Sequence, residues 1–314
     1  MNTDTKFSKD ILVILREKKS PPSKIKTDYK YNFIHNLNNL DSSAMAGDGN
    51  YVIFNKDSET NIRIESLKPD TYYILDTYKA SGNSKNAEKI ASLEFTTLAE
   101  QPLRQVQMIL WADVTKNSFK LLSEGAQSQN VMYVVSKGEN DFVPVDATSY
   151  KANATFGKGF EAANGVYVVK SDADTSKIFS VNGLEPGTAY YVRAYALNGK
   201  GQSVNYHEEV VKKRNSVKII TKLETPVIKS FNCPQTGACR VEWAKVKGAD
   251  TYILELSNDD KFETLHEIYN ALDVGDVDSY VFDELESNRT YFIRIKALGK
   301  VAESDYSNHL SKKL

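Results

Sequence analysis

Carboxylates crowd two short stretches of this 314-residue chain, Asp273-Val-Gly-Asp-Val-Asp278 and Asp172-Ala-Asp174. Acidic side chains two or three residues apart on a loop suit a hard cation such as Ca²⁺, but neither run has EF-hand spacing, so solvated loop acids are the expectation. Cys233 and Cys239 flank Pro234-Gln-Thr-Gly237. A thiolate metal site would need more ligands nearby, and His35, His207, His266 and His309 lie far apart in sequence. Gly157-Lys-Gly-Phe-Glu-Ala162 satisfies a relaxed dinucleotide pattern, yet it neither follows a strand of a βαβ unit nor opens a helix. No phosphate-cradling Gly-x-x-x-x-Gly-Lys, His-Glu-x-x-His, Gly-x-Ser-x-Gly or Cys-x-x-Cys occurs. Nothing assembles a nucleophile, a base and an oxyanion donor. The residues point to a non-enzymatic protein with no cofactor and no metal.

The elements that carry these residues are announced by a repeat. Leu67-Lys-Pro-Asp-Thr-Tyr-Tyr73 is answered by Leu184-Glu-Pro-Gly-Thr-Ala-Tyr190 and, more loosely, by Leu285-Glu-Ser-Asn-Arg-Thr-Tyr291. Each copy holds a Leu and a Tyr around a turn and runs into an alternating apolar strand. A turn Pro fixes φ at the bend, and a Tyr beyond it can bury its ring while its hydroxyl bonds to upstream backbone, a corner between two packed sheets.

On these residues the chain resembles the fibronectin type III family, whose Leu-x-Pro-x-Thr-x-Tyr pattern is matched in full by the first two copies. The third lacks the Pro, but Val241-Glu-Trp243 and Tyr252-Ile-Leu-Glu-Leu-Ser257 resemble the family's B-strand tryptophan and C strand. The resemblance implies an all-β fold of three tandem fibronectin type III (Ig-like) β-sandwiches. Linkers at residues 98–102 and 221–226, each with a Pro, place them at 1–99, 100–222 and 223–314, joined semi-rigidly. In the second, Tyr150-Lys-Ala-Asn153 and Phe156-Gly-Lys-Gly159 resemble a subtype of Bacteroidota surface and secreted proteins that has a long C-to-E connection. Its strands are expected near 105–113, 117–123, 130–137, 165–170, 177–182, 189–197 and 216–221.

Composition agrees and excludes some partners. Eighteen Tyr and thirteen Phe suit half-buried strands, while a net charge of −1 leaves no basic excess for nucleic acid or an anionic membrane. The run Ile11-Leu-Val-Ile-Leu15 is too short for a signal-peptide core or a membrane span. A cytoplasmic chain is therefore expected, and with it reduced thiols at Cys233 and Cys239, a bridge across their hairpin being the alternative under oxidation. Trp111 and Trp243 read as core, while Tyr78 and Tyr195 are candidates to face a ligand.

Aligning the first repeat on the second sets Tyr29-Lys-Tyr-Asn32 against Tyr150-Lys-Ala-Asn153, residues 49–53 against 165–169, Ile62 and Ile64 against Phe179 and Val181, and residues 11–15 against 131–135, which is strand C. The first domain is thus expected to lack strands A and B. Their absence would leave the strand at residues 61–66 with unpaired backbone and an uncovered apolar face, a template for a strand from another chain. Asn61, Ile62, Arg63, Ile64, Glu65, Phe7, Leu12 and Ile14 are the candidate partner-interface residues. Completion by residues 1–10 folding back as a surrogate strand, or by the second domain leaning over the gap, is the alternative.

The resemblance, with a first domain that looks unfinished alone, implies a structural protein of a bacteriophage virion, a capsid-decoration (auxiliary) or neck-and-tail accessory protein. It would be assembled in the host cytoplasm and bind other virion proteins, with weak glycan adhesion as a secondary role. The alternative is a bacterial cell-surface or secreted adhesin or carbohydrate-binding accessory module.

Overall fold

The computed structural model describes residues 11–25, 32–39, 42–54, 61–79, 87–173, 178–208 and 215–314. Among them there is no α-helix, and no helix long and apolar enough to cross a membrane. They fall into two compact units, one drawn from Met1–Leu103, Pro144–Ser149 and Leu197–Glu208, the other from Arg104–Val143, Tyr150–Ala196 and Glu209–Leu314.

The first unit is built on one sheet. Strands β1 (Ile11–Glu17), β2 (Asn50–Phe54), β3 (Tyr72–Lys79) and β4 (Glu88–Thr96) pair antiparallel in the order β2-β1-β3-β4. The central strand β1 is buried on both faces, as its unbroken apolar run requires.

The second unit opens with β5 (Met108–Ala112), β6 (Ser118–Glu124), β7 (Asn130–Ser136), β8 (Glu161–Ala163), β9 (Val166–Ala173), β10 (Phe179–Asn182) and β11 (Ala189–Asn198). Leu197 and Asn198, at the end of β11, pair with β12 (Asn205–Tyr206), a pairing that falls within the bounds of the first unit, and the first half of β11 pairs with β13 (Ser216–Ile220). One sheet runs β10-β6-β5; the facing one holds β9, β7, β11 and β13. Between them Phe119, Leu121, Val131, Tyr133, Val181, Tyr190 and Val192 form a closed core.

The same plan recurs in β14 (Val227–Gln235), β15 (Ala238–Ala244), β16 (Thr251–Ser257), β17 (Leu272–Asp273), β18 (Ser279–Phe282), β19 (Thr290–Leu298) and β20 (Leu310–Lys313). Their sheets run β14-β15-β18 and β17-β16-β19-β20, the A-B-E and C′-C-F-G orders of a fibronectin type III sandwich. Strict alternation puts Tyr291, Ile293, Ile295 and Ala297 of β19 inside, against Trp243 of β15. Hydrogen bonds from Gly187 N to Lys222 O (2.8 Å), Lys222 N to Thr115 O (3.1 Å) and Leu223 N to Glu303 O (3.0 Å) fix the joint between these two sandwiches.

All three corners close as the repeat implies. The hydroxyl of Tyr73 accepts from Lys68 N (3.1 Å), that of Tyr190 from Glu185 N (2.9 Å) and that of Tyr291 from Glu286 N (2.9 Å). In the first two, a Thr of the last strand also ties the turn: Thr97 Oγ1 donates to Lys68 O (2.7 Å) and Thr221 Oγ1 to Glu185 O (2.6 Å). Each turn needs a left-handed residue, filled by Asp70 (φ 48°), Gly187 (φ 60°) and Asn288 (φ 61°), types that tolerate that region. The third copy forms the same turn with Ser287 in place of the Pro.

Several expectations are corrected. Cys233 and Cys239 form a disulfide across the β14–β15 hairpin, their Cα atoms 4.0 Å apart, because pairing of Asn232 with Arg240 and Gln235 with Ala238 brings them face to face. Trp111 is 50% exposed, since β5 is an edge strand and nothing beyond it covers the ring. Tyr78 and Tyr195 are buried rather than free to meet a ligand, and the Tyr195 hydroxyl donates to Phe142 O.

Reduction of Cys233–Cys239 should lower the stability of its sandwich by about 2 kcal/mol, the entropy of a loop this short. Urea unfolding followed through buried Trp243 checks this. Tyr291→Phe should cost about 1 kcal/mol in the same assay, and Tyr190→Phe about 1 kcal/mol in its own sandwich, followed by hydrogen exchange of the buried amides there.

Candidate partner-strand site

The β1–β2 and β7–β9 ladders share their pairing register, and that register locates the site. Ile14 pairs with Val52 and Leu15 with Tyr51, as Val134 pairs with Val168 and Val135 with Tyr167. Both ladders carry a bulge at the same step, Val13/Ile14 and Tyr133/Val134. β1 is therefore the counterpart of strand C. The connection that follows is shared as well: Ile34 N donates to Val52 O (3.0 Å) just as Asn153 N donates to Val168 O (3.1 Å). That register sets Ile34, two residues beyond Asn32, opposite Asn153 and corrects the motif alignment; Tyr29 to Tyr31 lie outside the described residues.

From there each connection crosses to the strand before the corner. Glu65 N donates to His35 O (2.7 Å) and Leu37 N to Glu65 O (3.2 Å), while Asn182 N donates to Ala154 O (2.8 Å) and Phe156 N to Asn182 O (2.9 Å). The next residue is left-handed in both, Ser66 (φ 61°) and Gly183 (φ 71°). Residues 62–65 are thus the counterparts of 179–182.

The two strands then part company. In the second sandwich Phe179, Ser180, Val181 and Asn182 pair with Leu121, Lys120, Phe119 and Ser118 of β6. In the first unit, Glu65 bridges only to Asn36, and among the described residues Asn61, Ile62, Arg63 and Ile64 make no backbone hydrogen bond. Asn61, Arg63 and Glu65 face solvent, Arg63 Nε lying 3.4 Å from Glu65 Oε1; Ile62 and Ile64 turn inward but stay half-exposed.

Their inward neighbours form the uncovered face. Ile62, Ile64, Leu37 and Leu67 pack on Val13, Leu15, Ile53 and Tyr73. In the second sandwich that layer also receives Val106, Ile109, Phe119 and Leu121 from its first two strands or their approach. At about 1.5–3 kcal/mol per buried side chain, the described residues of the first unit supply roughly 6–12 kcal/mol less burial on this face than their counterparts do. The shortfall is visible: Leu67 is half-buried where Leu184 is 5% exposed, and Leu93 on β4, which shares the face through its pairing with Leu75, is 47% exposed. The Tyr73 ring stacks on Phe95 (5.8 Å), whereas Tyr190 has Phe119 (6.4 Å) and Phe156 (5.1 Å).

Not every anticipated residue belongs here. Leu12 and Ile14 are 8% and 1% exposed on the opposite face of the sheet, under Ile25, Val52 and Tyr78. Alternation along β1 gives the open face to Val13 and Leu15 instead. Phe7 lies outside the described residues. Leu93 and Phe95 are additions; their alternation in the last strand was the signal.

The opposite face is sealed electrostatically. Arg16 Nε meets Asp76 Oδ2 at 3.1 Å, Lys89 Nζ meets Oδ1 at 3.3 Å and Ser92 Oγ donates to Oδ1 at 2.7 Å. Burial pushes the Asp76 carboxyl up, but the hydrogen bonds from Ser92, Arg16 and Lys89 outweigh it and hold the carboxyl below its ordinary value.

The remaining candidates are spent on structure. Asp273 accepts from Gly275 N (3.0 Å) and from Thr251, and Asp276 pairs with Lys245 (3.0 Å). Asp172 and Asp174 have no described side chain, and among the described residues no cluster of His, Cys, Asp or Glu could hold a metal. Gly159 is required because a Cβ there would lie 2.0 Å from Val168 O, so Phe156-Gly-Lys-Gly159 is a packing motif.

No protein-family model matches this chain, and no curated protein matches it. Solved structures that resemble it include a two-domain fibronectin type III segment from chicken tenascin, 18% identical with a TM-score of 0.37, covering 67% of this chain and 100% of that one. The FN1–FN3 domains of chicken CNTN1 are 13% identical with a TM-score of 0.32, covering 96% and 90%. A variant named FN3tt is 21% identical with a TM-score of 0.24, covering 30% and 97%. The scores are low, and the fold assignment rests on strand order and the three corners.

Two outcomes follow. Val181→Asp should cost at least about 3 kcal/mol in its closed core, whereas Ile64→Asp, half-exposed, should cost about 1 kcal/mol or less, compared by urea denaturation. Asp76→Ala should cost about 3 kcal/mol by leaving Arg16 buried and unpaired. Because Asp76 has a depressed folded pKa, its stabilisation is full above the ordinary aspartate value and is lost as pH falls below it; Asp76→Ala should remove that part of the acid sensitivity.

Proposed function

We propose that this chain is a non-enzymatic protein-interaction module that binds a partner protein by strand addition at residues 61–65. The observation that carries this is the contrast between residues 62–65, whose backbone has no neighbour among the described residues beyond the bridge at Glu65, and residues 179–182, whose backbone pairs with β6. An extended segment whose N–H and C=O groups at residues 61–64 have no partner among the described residues, beside half-exposed isoleucines, is the kind of surface that β-augmentation uses.

The setting we propose is a bacteriophage virion, with the chain as a capsid-decoration or neck-and-tail accessory protein bound to other virion proteins and assembled in the host cytoplasm. Tandem Ig-like modules and the Bacteroidota-like motifs at residues 150–153 and 156–159 support this reading; weak glycan adhesion is a secondary role. The Cys233–Cys239 disulfide favours a second reading, a bacterial cell-surface or secreted adhesin or carbohydrate-binding accessory module, because such bonds persist in oxidising surroundings.

Mass spectrometry of purified virions against the host envelope and secreted fractions separates the two. Many copies per virion are expected. Absence from virions with enrichment in the envelope or medium would replace the first reading by the second.

A further inference from the structure

The second sandwich contains, in place, a strand, β6, that has no counterpart among the described residues of the first unit, and so specifies what would fit. Resting on the strand-addition reading above, we infer that the partner supplies an antiparallel strand whose order, along its own direction, is polar-apolar-polar-apolar, with two large apolar side chains two residues apart set opposite Ile64 and then Ile62.

The register follows from backbone equivalence. Residues 62–65 correspond to 179–182, and β6 lies along the latter with Phe119 opposite Val181 and Leu121 opposite Phe179. Phe119 and Leu121 point into the core and are fully buried; Ser118 and Lys120 alternate outward. Carried to the first sheet, the same strand places its first apolar side chain over Tyr73 and its second beside Ile62, covering the layer formed by Val13 and Leu15. Its third residue falls opposite Arg63, which is 89% exposed at its side chain, so an acidic residue there adds a cross-strand pair. A one-residue slip would turn both apolar groups to solvent, so the pattern is strict.

The test is an NMR titration of the full chain with a peptide of residues 117–124, Asn-Ser-Phe-Lys-Leu-Leu-Ser-Glu. A control peptide carries Ser in place of both Phe119 and Leu121, which removes the apolar pair in any register. Shifts at amides 62–65 with the first peptide, at least tenfold weaker with the control and with the Ile64→Asp chain, are expected. Free-chain amides 62–64 open to solvent exchange, with no preference between the peptides or no binding, would overturn the inferred pattern and leave the interaction edge standing. Amides 62–64 already protected in the free chain would overturn both.

Discussion

A tyrosine hydroxyl accepting one backbone N–H, made three times over by Tyr73, Tyr190 and Tyr291, is the interaction on which this architecture turns. It joins the strand before the corner to the strand after it using atoms within six residues of each other. The corner therefore forms whether or not the opposite sheet is complete. In the first unit this keeps residues 61–66 in strand-like register with Glu65 bridged to Asn36, although no strand lies beyond them among the described residues. Order without a neighbour is what distinguishes a receptive edge from a loose loop.

The energetic consequence divides the first sheet in two. Its outer face is closed by Ile25, Tyr78 and the Arg16–Asp76–Lys89 group, and its inner face is closed only in part by Leu37, Ile62, Ile64 and Leu67. Marginal proteins rarely forgo burial of this size. Coverage of the inner face by one more strand would supply what Phe119 and Leu121 supply in the second sandwich.

How much of this was legible in the sequence depended on whether the signal was local. The Leu-to-Tyr repeat fixes φ, burial and one hydrogen bond within seven residues, so it located every corner, and the Gly49/Gly165 anchor aligned strand C correctly. The interior position of Leu12 and Ile14 was not legible: both faces of β1 are apolar, so alternation cannot say which one meets the missing sheet. A cytoplasmic setting predicts reduced thiols at Cys233 and Cys239, but hairpin register brings the two together in a disulfide. Residue type alone places Trp111 in the core, and only the sheet order reveals that β5 is an edge. The interface strand was readable because an intact copy lies in the same chain.

The central claim is that residues 62–64 present an unpaired strand edge. Hydrogen–deuterium exchange on the isolated full chain tests it most directly, by comparing the amides of residues 62–64 with those of Phe179 to Val181. Exchange at 62–64 faster by several orders of magnitude than at the paired counterparts is the predicted result. Equal, slow exchange in both strands would mean the first edge is already paired and would contradict the account.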